Sequence, residues 1–228
     1  MDRLSNATRR SVARSDQAIG AHLRAERKRR KMSLRELAGR LGVTPSLISQ
    51  IETGKSKPSV VTLYGLASEL KLSIDDLLFA GDDVQADRPL DTAAASGSPT
   101  GLTRAPGAAP QRAAQRVDPV QRADRRKVIE LESGVRWERL TPSDDPDVDF
   151  LYCVYDVGGA SSSTPGLLRH SGREYGLVIR GRLRITLGFD THILELGDSI
   201  SFEATTPHRY ANAGDEPVHF VTCVVQVD

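Results

Sequence analysis

The chain has 228 residues and a formal net charge of +1, a length that suits one large domain or two small ones. This near-neutral total hides an uneven distribution of charge. Residues 1–80 carry fifteen Lys and Arg against eight Asp and Glu, whereas residues 127–228 carry nine against sixteen. Such an asymmetry indicates a nucleic-acid-facing first half and a second half with a different task.

The sequence gives no sign of a membrane or secreted protein. No apolar run approaches the roughly 18–20 residues that a membrane-spanning helix needs. The basic N-terminus is not followed by an apolar segment, as a secretory signal would require. Cys153 and Cys223 both lie in apolar stretches, which is typical of reduced core thiols in a cytosolic protein. We therefore expect a cytoplasmic protein without a membrane partner.

The pattern of residues divides the chain into four parts. Residues 1–16 form a basic tail, and residues 17–80 show helical periodicity with short breaks. Residues 81–126 are rich in Ala, Gly, Pro, Ser, Thr, Asp and Arg, so they bury too little apolar surface to repay ordering and are predicted to be a flexible linker. Residues 127–228 change to short β-type runs separated by Gly, Pro and Asp. With no room for crossover helices between them, these runs predict an antiparallel sandwich or barrel.

Helix starts and stops are clearly marked in the first domain. Ser33, with Glu36 three residues later, forms a capping box for one helix. Gly42 ends that helix, and Thr44 followed by Pro45 starts the next. The second of these helices turns Leu47, Ile48 and Ile51 inward and leaves Ser46, Ser49, Gln50 and Thr53 outward. Two short helices joined by a turn, the second with small polar side chains outside, match the geometry that docks in a DNA major groove.

Across about 60 residues this domain resembles the phage-repressor-like (XRE) helix-turn-helix family, which implies an all-α domain of five helices. The matching segments are 34–38, 42–46, 48–52, Gly54 and 58–59. The resemblance implies that Thr44, Ser46, Ser49 and Gln50 face bases and nearby phosphates of a double-stranded DNA operator. It also implies that Arg35, Lys55 and Lys57 are phosphate anchors, which position the domain without reading sequence. A helical protein–protein module with a solvated basic face is the alternative.

The last part of the chain contains two motifs with a distinctive order and spacing. His170 and Glu174 are four residues apart with Gly181 seven residues later, and a second run leads through His208 to Asn212. In order and spacing these motifs resemble those of the cupin family, a double-stranded β-helix or jelly-roll barrel. The family usually holds a divalent metal with two His and one Glu of the first motif and one His of the second.

The resemblance implies that His170, Glu174 and His208 occupy three ligand positions, while Leu168 stands where the other His is expected. Two interpretations stay open. The remaining three ligands suit Fe, Zn, Ni or Mn; alternatively, the site has turned to organic ligands and uses the three side chains for hydrogen bonding. Weaker candidates for a ligand pocket are Tyr152, Arg182, Arg184 and Tyr210. Strand alternation puts Tyr175 on the face opposite Glu174.

Together the domains resemble a family of bacterial one-component regulators, cytoplasmic and nucleoid-associated. This implies a homodimer on a near-palindromic operator, with a cupin that senses a small-molecule effector and no catalytic residues. The alternative is an enzyme, since some helix-turn-helix–cupin proteins, the phosphonate epoxidases, are mononuclear iron oxidases. A third interpretation is a barrel that only dimerises and senses nothing.

Overall fold

A computed structural model describes residues 17–79, 118–143, 145 and 147–226. The predicted basic tail and residues 81–117 of the predicted linker lie outside the described residues. Residues 118–126, the end of the predicted linker, are described and contain a short 3₁₀ helix, Ala123–Arg125. The Arg126 guanidinium also pairs with Glu138 of the β domain at 3.2 Å. This end of the linker therefore packs with the β domain.

The first domain is helical, as its periodicity predicted. Its helices are α1 (17–29), α2 (Leu34–Leu41), α3 (Pro45–Glu52), α4 (Val60–Glu69) and α5 (Ile74–Phe79). The Ser33 and Thr44 hydroxyls accept hydrogen bonds from main-chain N–H groups of α2 and α3 at 3.0 and 3.2 Å. Gly42 ends α2 with a φ of +66°, a conformation that favours glycine. Because α1 starts at the first described residue, the predicted count of five helices stays a prediction.

A buried ion pair crosses the core of the helical domain. The Arg27 guanidinium of α1 donates to both carboxylate oxygens of Glu52 in α3, at 2.5 and 2.8 Å. A third Arg27 hydrogen bond reaches the Met32 carbonyl at 2.8 Å. The pair therefore fixes the C-terminal end of α3 against α1 and the turn that follows it.

The second domain consists of two antiparallel sheets. Its strands are β1 (Val128–Leu131), β2 (Val135–Arg139), β3 (Val148–Tyr155), β4 (Arg173–Arg180), β5 (Leu183–Leu187), β6 (Asp190–Leu194), β7 (Ser199–Glu203), β8 (His208–Asn212) and β9 (Val218–Val225). The six-stranded sheet has the order β1-β2-β3-β9-β4-β7, and the three-stranded sheet the order β6-β5-β8. Alternate residues of β3 and β9 are buried, including Leu151, Cys153, Phe220 and Val224. The two sheets thus enclose an apolar interior, as the predicted antiparallel sandwich requires.

The two domains contact each other directly. The loop between α3 and α4 meets β1 and the turn after it, where Lys57 Nζ lies 2.5 Å from a Glu130 carboxylate oxygen. At the start of α4 the Val61 N–H donates to the Ser161 carbonyl at 3.4 Å. Further along α4, the Tyr64 ring packs edge-on against Trp137 of β2 with ring centroids 5.8 Å apart. Helix α4 is therefore seated on the β domain.

None of the helices within the described ranges is both long and apolar enough to cross a bilayer.

Candidate functional site

Three predicted ligand residues meet inside the β domain. His170 lies just before β4, Glu174 is inside β4, and His208 begins β8 of the other sheet. Glu174 Oε2 lies 3.5 Å from His170 Nε2 and 3.7 Å from His208 Nε2. One ligand atom from each residue lies within 4.8 Å of the others. We call these three residues the His-Glu-His cluster.

Main-chain carbonyls orient both imidazoles. His170 Nδ1 lies 2.9 Å from the Ser171 carbonyl, and His208 Nδ1 lies 2.9 Å from that of Thr206. A neutral imidazole that donates from Nδ1 keeps a lone pair on Nε2, which is the arrangement of a metal-ligating histidine. His208 Nε2 is buried and has no hydrogen-bond partner among the described residues. A metal ion would satisfy this nitrogen, so the residues present fit such an ion.

The carboxylate of the cluster is held from its other oxygen. Glu174 Oε1 accepts a hydrogen bond from the Tyr210 hydroxyl at 3.0 Å and one from Thr222 Oγ1 at 2.7 Å. Oε2 is thereby left to face the two histidines. Hydrogen bonds of this kind orient a ligating carboxylate and are part of most protein metal sites.

The electrostatics of the cluster favour an ionised carboxylate. Burial pushes the pKa of Glu174 upward, but the hydrogen bond with His170 and the nearby charges of both histidines outweigh burial and hold that pKa below its ordinary value. For His208, burial lowers the pKa, with the Glu174 carboxylate opposing this effect. The cluster thus presents a carboxylate and a neutral His208 imidazole at neutral pH, the forms that bind metal.

The fourth family position offers no ligand atom. Leu168 is buried, and its main chain pairs with His208, donating to its carbonyl at 2.7 Å and accepting from its N–H at 2.9 Å. Two imidazoles and one carboxylate remain, the set of a facial triad with open coordination positions.

The helical domain reaches the cluster. The ring of Tyr64, on α4, stacks on His170 with ring centroids 4.4 Å apart and planes only 7° from parallel. Beside this stack lies a cavity of about 400 Å³ between the domains. Residues of α4 and α5 form one side of it, and Asp149, Arg169, Ser171 and Gln226 form the other. His170 therefore belongs to the His-Glu-His cluster and also lines the interdomain cavity.

Of the four weaker candidates for a ligand pocket, one lies at the cluster and three do not. Tyr210 is buried at the cluster, where it donates to Glu174. Tyr152 instead contacts His219 Nδ1 at 2.6 Å on the outer side of the six-stranded sheet. Arg182 pairs with Glu195 at 3.2 Å, and Arg184 is exposed on β5. The structure does not bring these last three residues to the cluster. Tyr152 and Arg184 alternate with buried residues of β3 and β5, and Arg182 comes just before the buried Leu183 at the start of β5.

The predicted DNA-facing residues lie on α2, at the start of α3, on α3 itself and in the segment after it. Five of them are exposed and Ser49 is half-buried; the exposed ones are Arg35, Thr44, Ser46, Gln50 and Lys55. Lys57 is half-buried because it pairs with Glu130 of the β domain.

Sequence reasoning missed two residues that contact the cluster, Thr222 and Tyr64, and also Trp137, which packs against Tyr64. Thr222 had a signal, because it falls on the inward positions of β9 between Phe220 and Val224 and is polar. Tyr64 and Trp137 had none. Their positions depend on how the helical domain packs against the β domain, which a periodic pattern does not show.

Comparison with known proteins agrees with both domains. The family described as Helix-turn-helix matches residues 23–77, and the Cupin domain family matches residues 152–225. A crystal structure of an HTH_3 family transcriptional regulator from Vibrio cholerae superimposes with a TM-score of 0.60 at 20% identity, covering 95% of this chain and 99% of that one.

Two curated relatives span both domains. The HTH-type transcriptional regulator SutR of Escherichia coli (strain K12) is 28% identical over 208 residues, which cover 89% of this chain and 91% of SutR. The HTH-type transcriptional regulator PuuR of the same organism is 24% identical over 86% of this chain and 88% of its own length. The chain is thus an XRE-type helix-turn-helix protein with a C-terminal cupin domain, and its relatives are HTH-type transcriptional regulators.

Proposed function

We propose that this regulator binds a double-stranded operator as a homodimer and that its cupin domain is a metal-dependent sensor of a small molecule. In this proposal α3 of a five-helix domain reads bases through Thr44, Ser46, Ser49 and Gln50. Arg35, Lys55 and Lys57 neutralise phosphates. A cytoplasmic, nucleoid-associated location follows from that role.

The observation that supports the sensor is the convergence of His170, Glu174 and His208. The buried His208 Nε2 has no hydrogen-bond partner within the part of the chain that the structure describes. These residues would hold Fe, Zn, Ni or Mn, and the ion would supply a Lewis-acidic site for an oxygen- or nitrogen-bearing effector. Tyr210 and Thr222 would keep the carboxylate oriented toward the ion. The aromatic and apolar interior would keep bulk water from the site.

Metal analysis and binding titrations of the full chain test the sensor. We expect one divalent ion per chain in the wild type and none in His208→Ala. Glu174→Gln, which keeps the shape but removes the charge, should bind at least about tenfold more weakly. Asp198→Asn provides a control, because the Asp198 side chain accepts its hydrogen bond from the Glu195 N–H in the turn before β7. Equal metal content in wild type and His208→Ala would contradict the site.

A gel-shift series with DNA upstream of the protein's own coding region tests the regulator. We expect retarded complexes that require Gln50 and that change in affinity with metal and with effector candidates. Coupling between the two sites is defined by that change. If no metal or ligand changed the operator affinity, the proposal of DNA binding would stand and the proposal of sensing would be contradicted.

The His-Glu-His cluster also favours a second function, that of a mononuclear iron oxidase. Its ligand set is the one such enzymes use. Anaerobic loading with Fe(II), followed by measurement of oxygen consumption with candidate substrates, separates the two functions. A regulator without enzymatic activity should consume no oxygen beyond that of free Fe(II).

A further inference from the structure

The contact between Tyr64 and His170 joins the DNA-binding domain to a ligand of the proposed metal. Tyr64 belongs to α4, whose residues Leu63, Leu66 and Ala67 are buried in the helical core. Its own ring points the other way, onto the His170 imidazole and toward Trp137. The same helix therefore packs in one domain and supports the site of the other.

We propose that Tyr64 couples the His-Glu-His cluster to the DNA-binding domain, so that metal binding by the cluster and docking of α4 on the β domain reinforce each other. The inference rests on the metal site proposed above. It makes Tyr64 a positioning residue, which acts on the ion only through His170.

The first step of this coupling is geometric. The imidazole of His170 must present Nε2 to the ion, and its ring plane is set by the Ser171 carbonyl on one edge and by the Tyr64 ring on one face. His208, by contrast, is enclosed within the β domain. Removal of Tyr64 therefore releases His170 and leaves His208 in place.

The second step is electronic. An imidazole that ligates a cation becomes electron-poor, and an electron-poor ring stacks more strongly on an electron-rich phenol. Metal binding thus strengthens the contact that seats α4. By linkage, docking of α4 strengthens metal binding by the same factor.

The third step reaches the DNA-reading helix. Two contacts before Tyr64 in the chain also join the helical domain to the β domain. The Val61–Ser161 hydrogen bond holds the start of α4, and the Lys57–Glu130 pair holds the loop after α3. Stronger seating of α4 therefore restricts the orientation of α3 relative to the β domain.

The chain carries its own reporter, because Trp137 is its single tryptophan and it touches Tyr64. We would titrate full-length wild type, Tyr64→Phe and Tyr64→Ala with Zn²⁺ against a competing chelator while recording tryptophan fluorescence. His208→Ala defines zinc bound elsewhere. Tyr175→Ala, which removes an exposed tyrosine from the outer sheet face, is the matched control.

We expect Tyr64→Ala to bind zinc about three- to tenfold more weakly than wild type and to lose the fluorescence response. Tyr64→Phe should restore both, since it keeps the stacked ring. In the wild type alone, zinc should slow amide hydrogen exchange in residues 58–66, a measurement that needs no variant to fold.

The outcomes separate the two proposals. Zinc binding with equal affinity in all three proteins and unchanged exchange in residues 58–66 would overturn the coupling and leave the metal site standing. Absence of zinc binding in the wild type would overturn both. Loss of affinity in Tyr64→Phe as large as in Tyr64→Ala would also overturn the coupling, because the stacked ring would then be irrelevant.

Discussion

The Arg27–Glu52 pair is a buried charge pair in which each side chain is less than a tenth exposed. Removal of one partner leaves the other charge buried without a counter-charge, which typically costs about 3–5 kcal/mol. We therefore expect Arg27→Ala to lower the free energy of unfolding of the helical domain by about 3 kcal/mol or more, measured by urea denaturation followed by circular dichroism at 222 nm.

The neighbouring Arg29–Glu26 pair supplies the control for this substitution. The Arg29 side chain is 65% exposed, so its ion pair is screened by solvent. Arg29→Ala should leave the unfolding midpoint nearly unchanged. Similar losses for both variants would show that burial of the pair is not what matters.

The cluster also predicts a pH dependence for the metal-free protein. The pKa of His208 is lowered by burial, so the unfolded chain binds a proton more readily and stability falls as the pH drops through about 6.5. The lowered pKa of Glu174 adds a loss at more acidic pH, when its carboxylate is protonated.

Thermal melts in chelator between pH 7.5 and 5.5 measure this effect. The melting temperature should fall with acidification in the wild type and fall less steeply in His208→Gln. A melting temperature that rises toward pH 5.5 would contradict the assigned direction.

At the scale of elements, α3 and the segment after it carry two kinds of predicted DNA contact. Gln50 is exposed on the helix, where its amide can pair with adenine. Lys55 is exposed in the following segment, where it would meet phosphate. We expect Gln50→Ala to weaken binding to the operator more than to unrelated DNA.

Lys55→Ala should weaken binding to both DNAs alike and reduce the slope of log affinity against log salt by about one. Fluorescence anisotropy with operator and scrambled duplexes at several salt concentrations separates the two effects. If Gln50→Ala weakened both duplexes equally, Gln50 would have no role in reading bases.

Elements with strong local signals could be predicted from the sequence. The caps at Ser33 and Thr44 and the inward residues of α3 are local features, as are the buried alternations of β3 and β9. Strands β6 and β7 are mostly exposed, so they lack the alternation that identifies a half-buried strand.

The His-Glu-His cluster could be predicted because the spacing of its residues resembles a family motif. Its surroundings could not be predicted in the same way. Tyr64 and His170 are separated by more than a hundred residues, and their contact depends on the packing of two domains. The outward positions of Arg182 and Arg184 follow from strand alternation, but sequence alone did not show which face of β5 is buried.

For the whole molecule, Lys57 joins the two domains. Its pairing with Glu130 competes with the phosphate contact predicted for it. We therefore expect Glu130→Gln to raise operator affinity at low salt and to steepen the salt dependence, whereas Lys57→Ala should do the opposite.

The double variant tests whether Glu130 affects operator affinity only through Lys57. In Lys57→Ala, the additional change Glu130→Gln should have no further effect on operator affinity. A gain from Glu130→Gln that persists without Lys57 would mean that Glu130 acts by general repulsion of DNA.

The His-Glu-His cluster draws on both sheets, since Glu174 belongs to the six-stranded sheet and His208 to the three-stranded one. An occupant held by both side chains would cross-link the sheets and oppose their separation. Any ligand that binds only the folded chain adds to its stability, by an amount that grows with the logarithm of the ligand concentration above Kd. Bound and free regulator would then differ in their rate of unfolding and in their exposure to proteases. An effector that changes the DNA affinity of this protein would in that way also change the lifetime of each copy, and therefore the number of copies in a cell.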